Sequence, residues 1–151
     1  MTPQELWNEY KKSHPVTEDE PDAWAFGAEP DLLADLVVRG IKTATASAYD
    51  EHLYYKEPLG KVGEKSIVLD SQENAICMIE TTRIRVVPFK EVSAAHAYKE
   101  GEGDRSLIYW RQVHEELFTK WLADIGITFT PDSQVVLEEF QVIYKPSETS
   151  L

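Results

Sequence analysis

The chain has 151 residues, of which 42% are hydrophobic and 28% charged, a composition typical of one globular domain rather than of a disordered or membrane-spanning chain. Its 15 basic and 27 acidic residues give a formal charge of −12, which argues against a broad phosphate-binding surface and so against extended duplex nucleic acid as a partner. The single cysteine, Cys77, excludes a disulfide framework and a cysteine-rich zinc site.

The N-terminal residues predict a capped helix without a targeting signal. Thr2 is a helix-capping residue type, Pro3 suits the first helical position, and Glu5 completes a capping box. Residues 1–10 lack the apolar core of a signal peptide, and no apolar run approaches the ~20 residues of a membrane span. We therefore expect a cytoplasmic protein without a membrane partner.

An apolar segment and a second helix follow. Residues 24–27, Trp-Ala-Phe-Gly, are expected to dock on the core. Pro30 begins a helix whose apolar stripe includes Leu33 and Val37, and Gly40 is the residue type that ends helices in a left-handed conformation. The residues after Gly40 are therefore placed by a defined helix end.

The rest of the chain groups strands and helices separately. Strands are predicted over residues 66–70, 75–80 with a continuation through 83–87, and 135–144, and helices over roughly 93–100 and 106–123. This grouping predicts an α+β fold on a small mixed or antiparallel sheet, which can close as a barrel.

No linker or internal repeat divides the chain. We expect a single domain over residues 1–151, in which residues 1–28 form a helical N-terminal extension and residues 145–151 a frayed tail.

The densest group of reactive side chains follows the second helix, from Gly40 to Ser47. Lys42 and Thr45 can converge on one ligand only if this segment is turn-like or helical, because residues three apart share a face in a helix and oppose each other in a strand. The alternative, favoured by spacing alone, is a solvated lysine beside hydroxyls that bond their own backbone.

Residues 40–45, Gly-Ile-Lys-Thr-Ala-Thr, resemble the G-x-K-x-x-T signature of the ASCH domain, a relative of the PUA domain. Residues 101–114 resemble the same family in the pattern G-E-G-D-x-S-L-x-Y-W-R-x-x-H. The resemblance implies a PUA-like mixed β-barrel with helices packed around it and a cleft that binds RNA or its building blocks. One branch of the family hydrolyses the acyl amide of N4-acetylcytidine, and another is described as a ribonuclease.

In the amidohydrolase branch the catalytic set is a lysine, a threonine three residues later and a glutamate on a following strand, which Lys42, Thr45 and Glu80 match. Thr45 would attack the acyl carbonyl, and Lys42 would act as a base when neutral or stabilise the oxyanion when charged. Glu80 would orient Lys42 or protonate the leaving nitrogen. A carboxylate that simply faces water is the alternative for Glu80. No metal or organic cofactor is expected.

Five further side chains are candidates for binding the substrate. Trp24 and Tyr49 can stack on a base, as aromatic side chains commonly do with unpaired bases. Asp104 is expected to cap the helix that follows it, or to accept hydrogen bonds from a ribose or base. Arg111 can reach a phosphate or an acid, and His114 can move protons, although a structural histidine is the favoured alternative.

The sequence leaves three functions open. The first is hydrolysis of an acyl amide on a cytosine-type base by Lys42, Thr45 and Glu80. The second is a noncatalytic module that binds a nucleoside or single-stranded RNA in the same cleft. The third is a metal-independent ribonuclease, in which Lys42 would stabilise a phosphorane. Nothing in the sequence predicts the oligomeric state.

Overall fold

A computed structural model describes residues 1–27 and 29–146, so part of the expected tail at 145–151 lies outside the described residues. The helices are α1 (Pro3–Ser13), α2 (Pro30–Val38), α3 (Tyr49–Tyr54), α4 (Ala94–Glu100) and α5 (Leu107–Asp124). The strands are β1 (Asp22–Ala25), β2 (Ala44–Ala48), β3 (Lys65–Leu69), β4 (Ala75–Pro88) and β5 (Gln134–Tyr144).

The five strands form one mixed sheet in the order β1-β3-β4-β5-β2. β1 pairs parallel with β3, and the other neighbours pair antiparallel. The sheet curls into a half-barrel with helices against it, which confirms the α+β class and the PUA-like architecture. β4 and β5 are the longest strands and pair with each other at the centre of the sheet; β3 then pairs with β4, and β2 pairs with β5.

Three of the predicted helices, α1, α4 and α5, begin at side-chain caps. The Thr2–Glu5 capping box is present at α1, and Ser93 and Ser106 accept hydrogen bonds from the backbone at the starts of α4 and α5. Each cap satisfies N–H groups that have no partner within the helix. The local sequence therefore specifies these helix starts.

Three apolar clusters hold the helices on the sheet. α1 packs on one face of β3 and β4 through Leu6 and Met78, whereas α2 packs on the opposite face through Val37 and Cys77. α5 covers the far end of the sheet, where Phe118 lies in the third cluster. Burying side chains of this size contributes roughly 1.5–3 kcal/mol each. The second face, beside α2, is the face that leads into the main cavity.

Two segments differ from the expectation. Residues 22–25, assigned to a helical extension, form the edge strand β1 along β3. Residues 44–48, expected to be turn-like if they bind a ligand, form strand β2 along β5. In β2 alanines alternate with hydroxyl side chains, so that Ala44 and Ala48 are buried while Thr45 and Ser47 face the other side. This alternation, with a period of two residues, is visible in the sequence and is typical of a strand.

Among the residues that the structure describes, no helix is both long and apolar enough to cross a membrane.

Candidate functional site

A large cavity lies on the α2 side of the half-barrel and has a volume of about 690 Å³. It is bounded by the end of β1, by β2, by the turn at residues 57–60 and by β5. Its lining combines aromatic, hydroxyl and carboxylate side chains with one histidine: Asp22, Trp24, Phe26, Thr45, Ser47, His52, Glu57, Glu64, Ser66, Thr81, Glu138 and Phe140. This mixture suits a small ligand that is flat and polar at its edges.

A serine–histidine pair lies in the wall of this cavity. Ser47 is on β2, and α3 begins directly after β2, so that His52 folds back over the strand. Oγ of Ser47 lies 2.9 Å from Nε2 of His52. Nδ1 of His52 is buried and has no hydrogen-bond partner within the described parts of the chain. His52 therefore contacts Ser47 through Nε2, whereas its Nδ1 has no hydrogen-bond partner among the described residues.

Two carboxylates converge in another part of the wall, beside Gly60. A Cβ on Gly60 would lie 3.0 Å from Oε2 of Glu64 and 3.3 Å from Oε1 of Glu138. Burial and, after it, the charge of Glu64 raise the pKa of Glu138, and nearby His52 opposes this effect. Glu138 therefore retains its proton to a higher pH than an exposed glutamate does.

Lys42 lies outside this cavity in a buried ion-pair cluster and is 2% exposed. Its Nζ donates to Oε2 of Glu102 at 3.0 Å, to the carbonyl of Ala44 at 2.9 Å and to the carbonyl of Glu100 at 3.4 Å. It also lies 5.3 Å from the ring centroid of Phe26, which lines the cavity. Three acceptors suit the three donors of an ammonium group.

Glu100 is the centre of the cluster and is 1% exposed. Its Oε2 accepts hydrogen bonds from Nε2 of His96 at 2.7 Å and from Nε1 of Trp110 at 2.6 Å. Burial alone would raise the pKa of Glu100, but hydrogen bonds from His114 and His96 and the charge of Lys42 outweigh it and lower the pKa. Glu100 is therefore a buried carboxylate anion, and within the described part of the chain its side-chain partners come from α4, α5 and Lys42.

The end of α4 approaches the Lys42 segment closely. Gly101 has a φ of +74°, and a Cβ there would lie 2.7 Å from the carbonyl oxygen of Ile41. Glycine is the residue that fits both the left-handed conformation and this contact. The approach brings the carbonyl of Glu100 within reach of Lys42.

A smaller cavity of about 310 Å³ lies against the Lys42 segment. Arg39, Lys42, Phe140, Gln141 and Lys145 are among the residues that line it. The charged residues that line this cavity are basic, whereas the large cavity is lined by carboxylates, and Phe140 lines both cavities.

The three expected catalytic residues do not line one cavity. Thr45 lines the large cavity and Lys42 the small one. Glu80 lines neither of these: its neighbours Ile79 and Thr81 face the large cavity, so Glu80 points to the opposite face of β4. The carboxylates beside Lys42 are instead Glu100 and Glu102, which corrects the pairing with Glu80.

Of the five expected binding residues, Trp24 lines the large cavity and the other four do not. Asp104 accepts a hydrogen bond from the backbone of Ser106, which is itself the capping residue of α5. Arg111 donates to the carbonyl of Lys90. His114 is buried and stacks on Trp110 with ring centroids 4.1 Å apart, so the structural alternative describes it.

Tyr49 is the first residue of α3 and is absent from the lining of the large cavity. The residues between Thr45 and Tyr49 belong to β2, so the two side chains do not share a helical face.

Sequence reasoning missed Ser47, His52 and Glu138. His52 meets Ser47 only because the chain turns from β2 into α3, and Glu138 reaches the cavity only through the pairing of β5 with β2. Sequence reasoning also did not identify Glu100 and Glu102 as the partners of Lys42. The available signal was their position in the sequence: Glu102 lies within the stretch at 101–114 that resembles the family, and Glu100 directly precedes that stretch. Within residues 1–27 and 29–146, no group of three potential metal ligands is assembled.

A match to a family model decides where this fold belongs: the model of the ASCH domain matches residues 22–144. The chain belongs to the ASCH domain family. The match spans both segments whose resemblance was noted in the sequence and so confirms that resemblance. ASCH domains have a PUA-like fold, which is often linked to RNA binding.

Two crystal structures are similar to this ASCH domain over almost its full length. An ASCH domain from Lactobacillus crispatus JV V101 is 31% identical, with 94% of each chain covered and a TM-score of 0.86. A protein from Enterococcus faecalis V583 is 32% identical, with 97% of this chain and 91% of that chain covered and a TM-score of 0.87. No curated protein matches the sequence significantly.

Proposed function

We propose that this ASCH domain binds a nucleoside, or an unpaired base of RNA, in the large cavity and hydrolyses an acyl amide on a cytosine-type base there. The observation that carries the proposal is the lining, in which aromatic rings stand beside hydroxyls and carboxylates within about 690 Å³. That volume is within the range of cavities that hold small molecules.

The aromatic part of the lining supports the binding of a flat base. Trp24 and Phe26 are in edge contact, with ring centroids 4.7 Å apart, and both face the cavity with Phe140. Stacking of a base on such a ring typically contributes about 1–3 kcal/mol. A base on the ring of Trp24 would place its edge toward Thr45 and Ser47 or toward the carboxylates.

The charge of the lining favours an uncharged ligand. Among the described residues, four carboxylates, from Asp22, Glu57, Glu64 and Glu138, face the cavity, and neither a lysine nor an arginine lines it. Carboxylates accept hydrogen bonds from ribose hydroxyls and exocyclic amines, but they repel a phosphate. The proposal therefore favours a nucleoside over a nucleotide, and for RNA it places the phosphates outside the cavity.

Calorimetric titration of the purified protein with cytidine, N4-acetylcytidine and cytidine monophosphate tests the binding. We expect the nucleosides to bind and the nucleotide to bind at least about tenfold more weakly. Trp24→Ala should weaken binding by about 1–3 kcal/mol, whereas Tyr55→Ala, at an exposed aromatic residue outside the lining, should leave it unchanged. Equal binding by wild type and Trp24→Ala would refute the proposed site.

Hydrolysis is tested separately, by following the conversion of N4-acetylcytidine to cytidine by chromatography. A noncatalytic binding module is the second candidate, and one observation favours it: the ammonium of Lys42 is already engaged by three acceptors, and Glu80 lies apart from it. Binding of N4-acetylcytidine without release of acetate would select the noncatalytic function. Cleavage of single-stranded RNA in the presence of chelator would instead select the ribonuclease.

A further inference from the structure

We infer that Ser47 and His52 form a nucleophile–base pair in the large cavity and that its substrate class is an acyl group carried on nitrogen or oxygen. The inference rests on the proposed function for the identity of the leaving group. It replaces the roles that the sequence resemblance implies for Thr45 and Lys42.

The geometry meets the first requirement of such a pair. The 2.9 Å between Oγ of Ser47 and Nε2 of His52 is within the range in which a histidine removes a proton from an attacking hydroxyl. Both side chains line the same cavity, so a carbonyl carbon can approach Oγ from the open side. Ser47 also stands on anchored backbone, since it pairs with Val136 in the sheet, and α3 begins directly after the buried Ala48 that ends β2.

Ser47 differs from the other hydroxyls of the cavity. Over the described ranges, Thr45, Ser66 and Thr81 also line the cavity, but none of them is hydrogen-bonded to a histidine. A hydroxyl without an adjacent base is a weak nucleophile at neutral pH. Thr45 lies two residues from Ser47 on the same face of β2, where its hydroxyl can donate to the carbonyl oxygen under attack.

The histidine has one tautomer that suits the role. With its proton on Nδ1, Nε2 is free to accept the proton of Ser47. Nδ1 is buried and, in the part of the chain that is described, hydrogen-bonded to nothing. A buried polar atom left unpaired costs about 1–3 kcal/mol, and such atoms call for an explanation that function can supply.

The proposed reaction has two balanced steps. Oγ of Ser47 attacks the acyl carbon as its proton passes to Nε2 of His52; the C–N or C–O bond then breaks, and the leaving group takes that proton. Water next attacks the acyl-serine, again giving a proton to His52, which returns it to Oγ as the carboxylic acid leaves. Water is the only co-reactant, and no electrons are transferred.

A fluorophosphonate probe tests the pair without reference to a natural substrate, because it reacts with activated serines by forming an O–P bond and releasing fluoride. We expect peptide mass spectrometry of the labelled wild type to place the adduct on Ser47. His52→Gln should slow labelling by roughly 10²-fold, a magnitude typical of lost general-base catalysis. His14→Gln is the matched control, because Nδ1 of His14 lies 2.9 Å from Oγ of Ser13 at an exposed site outside the cavity lining; this variant should label like wild type.

Labelling at another residue, or equal labelling of wild type and His52→Gln, would overturn the inference. Circular dichroism and thermal melting of each variant establish that it is folded. Ser47→Cys provides a second test: its thiol should react with iodoacetamide faster than the same thiol in the double variant Ser47→Cys/His52→Gln.

Assays with N4-acetylcytidine separate this inference from the proposed function. Hydrolysis that survives Ser47→Ala with an unchanged rate would remove the pair from the mechanism and leave the proposed function standing. Labelling of Ser47 by the probe without any hydrolysis of N4-acetylcytidine would support the pair and overturn the proposed cytosine-type substrate.

Discussion

Glu138 and Glu139 are adjacent in β5 but lie in opposite electrostatic environments. Glu138 faces the large cavity, where burial and the charge of Glu64 raise its pKa. Glu139 faces the other side of the sheet, where the hydrogen bond from Lys99 lowers its pKa despite partial burial. Because the two side chains differ by one position in one strand, they form a matched pair for measuring how stability depends on pH.

We expect Glu138→Gln to stabilise the protein at neutral and higher pH. A raised folded pKa means that the contribution of Glu138 to stability is complete below the unfolded pKa of about 4.3 and is lost as the pH rises through the folded pKa. The glutamine variant lacks this loss. Urea unfolding at pH 4 and pH 8 should give a free-energy difference between variant and wild type that grows with pH.

Glu139→Gln is the control, with the opposite sign. Its lowered folded pKa means that its contribution is present above the unfolded pKa and lost as the pH falls through the folded pKa. The variant should therefore be less stable than wild type at pH 8 and approach it under acid conditions. Parallel pH profiles for the two variants would contradict the assigned environments.

At the scale of elements, the buried cluster around Glu100 joins α4, α5 and the residues before β2. Lys42 contributes the positive charge, and Trp110 and His96 contribute hydrogen bonds. A buried carboxylate with these partners fixes the direction in which the chain enters β2, and hence the position of Thr45 and Ser47 along β5. In this reading Lys42 is a positioning residue for the cavity.

Lys42→Ala should destabilise the fold by about 3–5 kcal/mol, because it leaves Glu100 charged and buried without its cation. Urea unfolding measures the loss. Lys99→Ala is the control: Lys99 also pairs with a carboxylate, but at an exposed position, so its loss should cost about 1 kcal/mol or less. Similar losses for both variants would mean that the Lys42 cluster contributes no more than a surface ion pair.

Gly101 and Gly40 allow the close approach of α4 to Ile41 to be measured apart from backbone strain. Both have a positive φ, +74° and +76°, but a Cβ on Gly101 meets the carbonyl of Ile41 while a Cβ on Gly40 meets nothing within 4 Å. Alanine at either position carries strain of roughly 1–3 kcal/mol. We expect Gly101→Ala to lower the melting temperature further than Gly40→Ala does, and equal losses would argue that the contact is unimportant.

The elements also show what the sequence could predict. The starts of α1, α4 and α5 were predictable because their caps are local, and β3, β4 and β5 because their apolar runs are clear. β1 and β2 were missed because each is a short edge strand, whose existence depends on a partner distant in sequence. Missing β2 led directly to the wrong relation between Lys42 and Thr45, since a strand separates what a helical turn would have brought together.

The candidate site was predictable only in part, and for the same reason. Trp24 and Thr45, which the sequence singles out, line the large cavity, whereas Lys42 and Glu80 do not. The contacts that define the rest, Ser47 with His52 and Lys42 with Glu100, span a strand–helix corner and 58 residues of chain, respectively. No periodicity within one element records such contacts.

At the scale of the molecule, the charge of −12 and the acidic cavity both disfavour the binding of phosphate groups. We expect the affinity for a nucleoside to stay constant between 50 and 500 mM salt, because a neutral ligand releases no counterions. Calorimetry with cytidine, and with a short single-stranded RNA as comparison, measures the dependence. A steep fall of affinity with salt for the nucleoside itself would contradict a site free of phosphate contacts.

Cys77 gives the fold a built-in reporter. It is the only thiol in the sequence, it is fully buried on β4, and burial raises its pKa to about 12, against a small opposing effect of Lys145. Alkylation requires an accessible thiolate, so a reagent can modify the native protein only when the centre of the sheet opens. The alkylation rate of Cys77 therefore measures how often the core opens, without any engineered label.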